Sequence, residues 1–228
     1  MGFCSRSQAV ELVLNGRVRL QGAVCRDPGR AVDLTRNQIE VDGQTIREAR
    51  KIYLMLNKPR GLVTTVSDDQ GRATVFDCLA PNLPFVSPVG RLDKASEGLL
   101  LFTNDTKWAT RVTEPLEHLD KTYHVQIDRP AEDTLLQRMV KGVHDRGDSL
   151  SAKQAAVLRS GPRNSWLTIV LDEGKNRHIR RLLEALDVRV LRLVRVAIGP
   201  LQLGDLPKGS SRVLTETEVL QLHKRACA

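Results

Sequence analysis

The chain has 228 residues, and 41% of them are hydrophobic, enough for an ordinary core in one large domain or two unequal ones. Its 35 Lys and Arg against 27 Asp and Glu give a net charge of +8, which points to a polyanionic partner. No apolar run approaches the ~20 residues of a membrane span, and no charged start leads into an apolar signal segment, so a soluble, cytoplasmic protein is expected. From the N-terminus, Ser5 or Ser7 can cap a short helix carrying Ala9, Val10, Leu12, Val13 and Leu14, which ends near Asn15-Gly16. Val18-Arg19-Leu20 and Gln21-Gly22 read as a strand and a turn, Asp27-Pro28-Gly29 as a second turn, and Ile39 to Gly43 as a short alternating strand. Arg6, Arg17 and Arg19 fall on the helix end and first strand, where they could meet phosphates; a solvated face satisfies the same spacing.

Residues Glu48 to Lys51 read as a polar linker, dividing the chain into a small unit, 1–47, and a larger one, 48–228. Ile52 to Leu56 is a strand closed by Asn57-Lys58-Pro59-Arg60-Gly61. Lys58 and Arg60 could contact a phosphate backbone there, although a Pro-Gly turn with exposed charges needs no function. Residues 64–80 hold a polar, Gly-containing segment and then a short helix from about Thr74.

The most informative stretch is Gly90 to Asp105, GRLDKASEGLLLFTND. Asp93 stands between a basic entry, Gly90-Arg91, and the apolar run Leu99 to Phe102, which is too short for a good helix. The run reads as a buried strand with Asp93 on the loop before it, a sound support for a catalytic carboxylate. Taken alone, an Asp in a Gly-bounded loop is more commonly a turn or cap residue.

Trp108 to Val112 reads as a short helix stopped before Pro115, and Lys121 to Ile127 alternates as a strand. Leu135, Leu136, Met139 and Val140 recur at helical spacing between Pro130 and Gly142. Trp166 to Leu171 is another strand, with Trp166, Thr168 and Val170 on one face. It runs into a basic junction, Lys175-Asn176-Arg177-His178-Ile179-Arg180-Arg181, and a helix through Leu182, Leu183 and Leu186. Cations in the first turn of a helix are poorly sited electrostatically, which favours a functional role for them. Val190 to Gly199 gives a strand and turn, and Thr215 or Thr217 can cap a last helix with Glu216 and Glu218 in its first turn. Cys4, Cys25, Cys78 and Cys227 form no CxxC pair and no zinc-ligand spacing with the histidines, so isolated thiols and no metal are expected.

Gly90-Arg91-Leu92-Asp93, with Glu97 to Leu101 and Thr103-Asn104-Asp105, resembles the catalytic signature of the pseudouridine synthases, in particular the RsuA/RluB/RluE/RluF group that modifies ribosomal RNA. Asn57 to Gly61, the Lys121-Thr122-Tyr123 strand and the Glu173 to Arg181 junction match the same family, as does the closing segment Leu206 to Thr215. The resemblance implies that Asp93 is the nucleophile, that the Tyr123 ring packs on the target base, and that Arg180 pairs with the carboxylate. It makes Lys175, Arg177 and Arg181 candidates for RNA contact, and gives Arg91 a part in holding the vacated site. His178 stands where the family more commonly has Gln.

Ser5 to Ala9 and Gly16 to Gly22 resemble the alpha-L RNA-binding domain shared with a small-subunit ribosomal protein, here without the helix that normally precedes Cys4-Ser5. The implied fold is α+β: a mostly antiparallel mixed sheet flanked by helices, plus the small N-terminal RNA-binding domain. The implied partner is ribosomal RNA, bound by a monomer that needs no cofactor. The site is expected in a cleft of the sheet between the Asp93 and Arg180 segments.

Turning uridine into pseudouridine cuts the N1–C1′ bond, rotates the base and rejoins it through C5, with no redox change or group donor. Asp93 could attack the sugar or the base, or stabilise positive character at C1′. Arg180 would keep the carboxylate charged and oriented, and Tyr123 could assist proton loss from C5. A non-catalytic ribosome-assembly protein would explain the charge but has no need of Asp93, Tyr123 and Arg180 together. A carboxylate glycosidase lacks a clear second catalytic acid.

Overall fold

The computed structural model describes residues 2–33, 36–66, 68–113 and 119–224. The expected stop at Pro115 and the Cys227 thiol lie outside the described residues. The first helix, α1 (Arg6–Leu14), starts at Ser5, whose hydroxyl accepts from the Gln8 N–H while the Gln8 side chain accepts from the Ser5 N–H. This reciprocal cap satisfies two backbone donors that the helix cannot. Strands β1 (Val18–Leu20), β2 (Ala23–Cys25), β3 (Ile39–Val41) and β4 (Gln44–Thr45) follow, forming an antiparallel sheet in the order β2-β1-β3-β4.

The larger part of the chain is built on a second sheet. Its first strands are β5 (Tyr53–Lys58), β6 (Ser87–Val89) and β7 (Glu97–Thr103), with a 3-10 turn, Val75–Cys78, capped by Thr74. Helix α2 (Thr106–Thr113) starts at Asp105, whose carboxylate accepts from the Lys107 and Trp108 N–H groups. Then come β8 (Lys121–Ile127), α3 (Asp133–Lys141), the hairpin β9 (Val143–Asp145) and β10 (Asp148–Leu150), β11 (Gln154–Ser160) and β12 (Ser165–Leu171). The chain closes with α4 (His178–Glu184), β13 (Val190–Ile198), β14 (Leu201–Gln202), β15 (Ser211–Val213) and α5 (Glu216–Lys224).

The sheet runs β11-β12-β8-β13-β7-β5-β15, with β14 on β13 and β6 on β7. Its pairings are antiparallel except for β13 and β7, which run parallel with Arg195 opposite Gly98. Gly98 is obligatory at that crossing. Its φ is +101°, and a Cβ there would lie 2.2 Å from the Arg195 carbonyl oxygen.

Period-2 alternation sorts the core onto two faces. On one, Met55, Leu99 and Leu101 meet Trp108 and Val112 of α2 and Leu222 of α5. On the other, Leu54, Leu56, Leu100 and Phe102 pack with Val75 and Val86. All seven residues of β7 are buried, so its apolar run needs no polar alternation. Further along the sheet, Val125, Ile127, Leu167, Ile169 and Leu193 pack under α3 and α4, against Leu135, Met139, Ile179 and Leu182. Tyr123 borders both this cluster and the one around Phe102.

The fold is thus the α+β architecture expected from the resemblance. The β9–β10 hairpin and β11 were not anticipated: β11 is an edge strand whose residues are mostly exposed, so it lacks an apolar signature. Among the described residues, no helix is long and apolar enough to cross a membrane.

Candidate active site

Where the Asp93 loop enters β7, beside β8, β13 and the start of α4, a cleft of ≈ 550 Å³ opens. Asp93, Tyr123 and Arg180 all line it. Asp93 is partly exposed, its side chain keeping 37% of its surface accessible.

The loop carrying Asp93 is pinned carbonyl by carbonyl. The Leu92 oxygen accepts from the Thr64 hydroxyl at 2.7 Å and the Asp93 oxygen from the Ser96 N–H at 3.0 Å. The Lys94 oxygen accepts from the Gly61 N–H at 2.8 Å, the Ala95 oxygen from Arg180 Nη2 at 3.1 Å, and the Ser96 oxygen from Lys58 Nζ at 2.9 Å. Four of these donors come from segments remote in sequence, so the loop conformation is set by tertiary contacts. Each bond contributes about 0.5–1.5 kcal/mol, more where the donor is charged.

Two of the donors had been given other work by the sequence. Lys58, expected at an RNA backbone, is fully buried and donates to Pro59 O as well as Ser96 O. Burial pushes its ammonium down to about 8, against the pull of the Asp93 and Glu97 carboxylates. It is a support beneath the loop, not an RNA contact. Arg180, expected on the Asp93 carboxylate, reaches the loop backbone instead. Burial, with the neighbouring Arg177 charge, lowers its pKa, while Asp93 acts in the opposite sense. Among the described residues, the cation paired with the carboxylate is Arg177, Nη1 to Asp93 Oδ2 at 3.9 Å. Arg177 caps α4 with a left-handed backbone, φ 49°, uncommon for a non-glycine residue.

Arg181 also departs from expectation. It is buried, bonded to the Asp145 and Asp148 carboxylates at 2.6 and 2.7 Å and to Asp145 O at 2.7 Å, so it ties the β9–β10 hairpin to α4. A guanidinium so engaged has little left for a phosphate. Arg17 is exposed but forms a two-pronged pair with Asp42, at 2.9 and 2.5 Å. Arg6 and Arg19 are exposed, Arg19 donating to Gly22 O at 3.2 Å. Arg60 and Arg91 are exposed at the site, Arg91 lining the cleft and Arg60 lowering the Arg180 pKa by charge. Lys175 lines the cleft and is held by Ser149 O at 2.7 Å and Glu173 at 3.0 Å. His178 is buried with Nδ1 3.6 Å from Glu173 Oε1, and burial lowers its imidazole pKa.

Two cations in the cleft escaped the sequence reading. Arg195 is 6% exposed, and its Nε donates to Leu99 O at 2.8 Å. Its Nη2 is buried without a hydrogen-bond partner among the described residues. Lys121 donates to Asp172 O at 3.3 Å, and burial followed by the Arg195 charge lowers its pKa. Neither strand marks its cation locally: β8 is mixed in polarity, and β13 carries Arg192 as well as Arg195, so only the strand register shows which of them enters the cleft. Among the described residues, no group of three or more His, Cys, Asp or Glu is arranged to hold a metal ion.

Residues 52–185 match the family model described as RNA pseudouridylate synthase, and residues 1–39 match that of the S4 domain. The chain is 36% identical over 224 residues to an RNA pseudouridine synthase of Aquifex aeolicus, covering 98% of this chain and 90% of the relative. It is 35% identical over 228 residues to the ribosomal large subunit pseudouridine synthase B of Bacillus subtilis, covering 99% and 93%. A crystal structure of a pseudouridylate synthase aligns with a TM-score of 0.68 at 30% identity, over 96% of this chain and 94% of that one.

Proposed function

The chain belongs to the RNA pseudouridine synthase family, and from that premise we propose that it isomerises a uridine of ribosomal RNA to pseudouridine with Asp93 as nucleophile. The observation that carries this reading is the convergence of Asp93, Tyr123 and Arg180 on one cleft from separate parts of the chain. The target uridine leaves its stack at a cost of a few kcal/mol, which stacking on Tyr123 and backbone contact with cations offset. Arg60, Arg91, Lys175 and Arg177 supply the cations around the cleft, and residues 1–47, with Arg6 and Arg19 exposed, form the RNA-gripping unit.

Asp93 then attacks C1′ as the N1–C1′ bond breaks. Arg177 faces the carboxylate, and Arg180 braces the loop that carries it. The freed base turns on the Tyr123 ring, C5 bonds to C1′, and the tyrosine hydroxyl assists proton loss from C5.

The test is to incubate the purified protein with unmodified ribosomal RNA transcripts and map pseudouridine by carbodiimide-dependent reverse-transcription stops. The large-subunit RNA is the first to try, since the Bacillus subtilis relative is named for that subunit. Pseudouridine at a discrete site supports the reading. Tight, salt-sensitive binding with no modified nucleotide in either subunit's RNA would favour the assembly protein instead.

A further inference from the structure

We infer that Arg195, with Lys121 beside it, is a further catalytic residue that stabilises the negative charge the uracil ring acquires when its glycosidic bond breaks. The inference deepens the proposed function and rests on it.

The chemistry requires such a group. When N1–C1′ breaks, its electron pair leaves with N1, and C1′ is taken up by an Asp93 carboxylate oxygen. The departing ring is a uracil anion whose charge spreads over N1, O2 and O4. Later C5 bonds to C1′, the C1′–O pair returns to Asp93, C5 loses its proton with help from the Tyr123 hydroxyl, and N1 gains one, so no net proton is taken up. Atoms and charge balance without a co-reactant. Donors already fixed where charge develops lower the barrier most effectively in a site sheltered from water.

Arg195 meets that description. It is the direct register partner of Tyr123 on the neighbouring strand, so both side chains rise from the same face of the sheet into the same cleft. A base lying on the Tyr123 ring therefore has the guanidinium beside it. The Nε donor is fixed by Leu99 O, and the buried Nη2 is left without a partner. Among the described residues, no ion pair includes Arg195. A guanidinium is donor-only and always charged, so an unpartnered arm in a buried position calls for an acceptor, preferably an anionic one. Gly98 is what lets β7 lie close against Arg195.

Lys121, likewise lining the cleft, adds a second cation close enough to Arg195 for the guanidinium charge to help lower the lysine's pKa. Two neighbouring sheltered cations are a poor arrangement for the empty protein and a good one for an anion. A phosphate is the weaker candidate here. Exposed cations, Arg91 and Arg177, already serve the rim, whereas Arg195 and Lys121 belong to the sheet strands beside Tyr123.

The test compares wild type, Arg195→Met, Arg195→Gln and Lys121→Met under single and multiple turnover on the ribosomal RNA transcript. Melting temperatures are recorded for each protein. Arg195→Met is expected to lower kcat by about 10²–10³-fold with KM within threefold of wild type. Lys121→Met is expected to lower kcat roughly tenfold, in line with a supporting charge. A folded Arg195→Met protein with kcat within threefold of wild type, or with its loss confined to KM, overturns the inference. If the methionine variant does not fold, Arg195→Gln decides by the same limits, a loss in kcat of at least about tenfold being expected. A wild-type protein that makes no pseudouridine at all sinks the proposed function. Active wild type with unimpaired Arg195 variants sinks only this inference.

Discussion

Lys58 Nζ donates to the Ser96 carbonyl oxygen at 2.9 Å, three residues past Asp93, from a side chain with no accessible surface. A charged ammonium is thus sealed beneath the loop that presents the candidate nucleophile, and its charge is costly there.

The cost gives a pH signature. Burial lowers the folded-state pKa of Lys58 to about 8 against the ordinary 10.5. Between those values the unfolded chain holds the proton more tightly, so unfolding takes up protons and stability rises with pH. Urea denaturation of wild type and Lys58→Met across this interval is expected to diverge. Relative to the variant, wild type should gain up to roughly 3 kcal/mol by pH 10.5. Parallel curves would mean that the ammonium is not held at a penalty.

Gly98→Ala is expected to destabilise the fold by about 3 kcal/mol or more, or to abolish it, because it combines a left-handed backbone with steric overlap. The new methyl would lie 2.2 Å from Arg195 O and 2.8 Å from Arg195 N, and neither backbone atom can move without disturbing the β7–β13 crossing. Thermal or chemical denaturation measures it. A loss below 1 kcal/mol, on the order of an ordinary strand substitution, would contradict the close approach.

Arg177 and Arg181 make a contrasting pair. Arg181→Met should lower the melting temperature by several degrees, since it frees the β9–β10 hairpin from α4, yet leave the salt dependence of RNA binding unchanged. Arg177→Met should leave melting nearly unchanged and reduce the slope of log affinity against log salt by about 1. Binding isotherms at several salt concentrations distinguish them. A shallower slope for Arg181→Met would restore it as a phosphate contact.

Much of this architecture was legible in the residues. The capping box at Ser5, the apolar run Leu99 to Phe102, the alternating strand from Lys121 and the Thr215 cap each carry a local signal, and each forms the expected element. What local signals cannot carry is the fate of a long cationic side chain. Lys58, Arg180 and Arg181 sit in basic motifs, and from spacing alone each could face solvent or RNA. Their roles depend on which carbonyls and carboxylates the tertiary fold brings within reach. Ser96 O, Ala95 O and the Asp145–Asp148 pair come from segments 33 to 85 residues away. Arg195 was hidden for the converse reason: its strand, Val190 to Ile198, reads as core, and only the register opposite Tyr123 brings it into the cleft.

The most direct test of the central claim replaces the carboxylate alone. Ribosomal RNA from cells lacking the gene, complemented with either wild type or Asp93→Asn, would be mapped for pseudouridine, with binding of the purified proteins to the transcript measured in parallel. The account predicts that wild type restores the modified nucleotide, whereas Asp93→Asn folds, binds RNA with affinity within about threefold and yields no detectable product. Pseudouridine at near wild-type levels from the Asn variant would remove Asp93 from the chemistry.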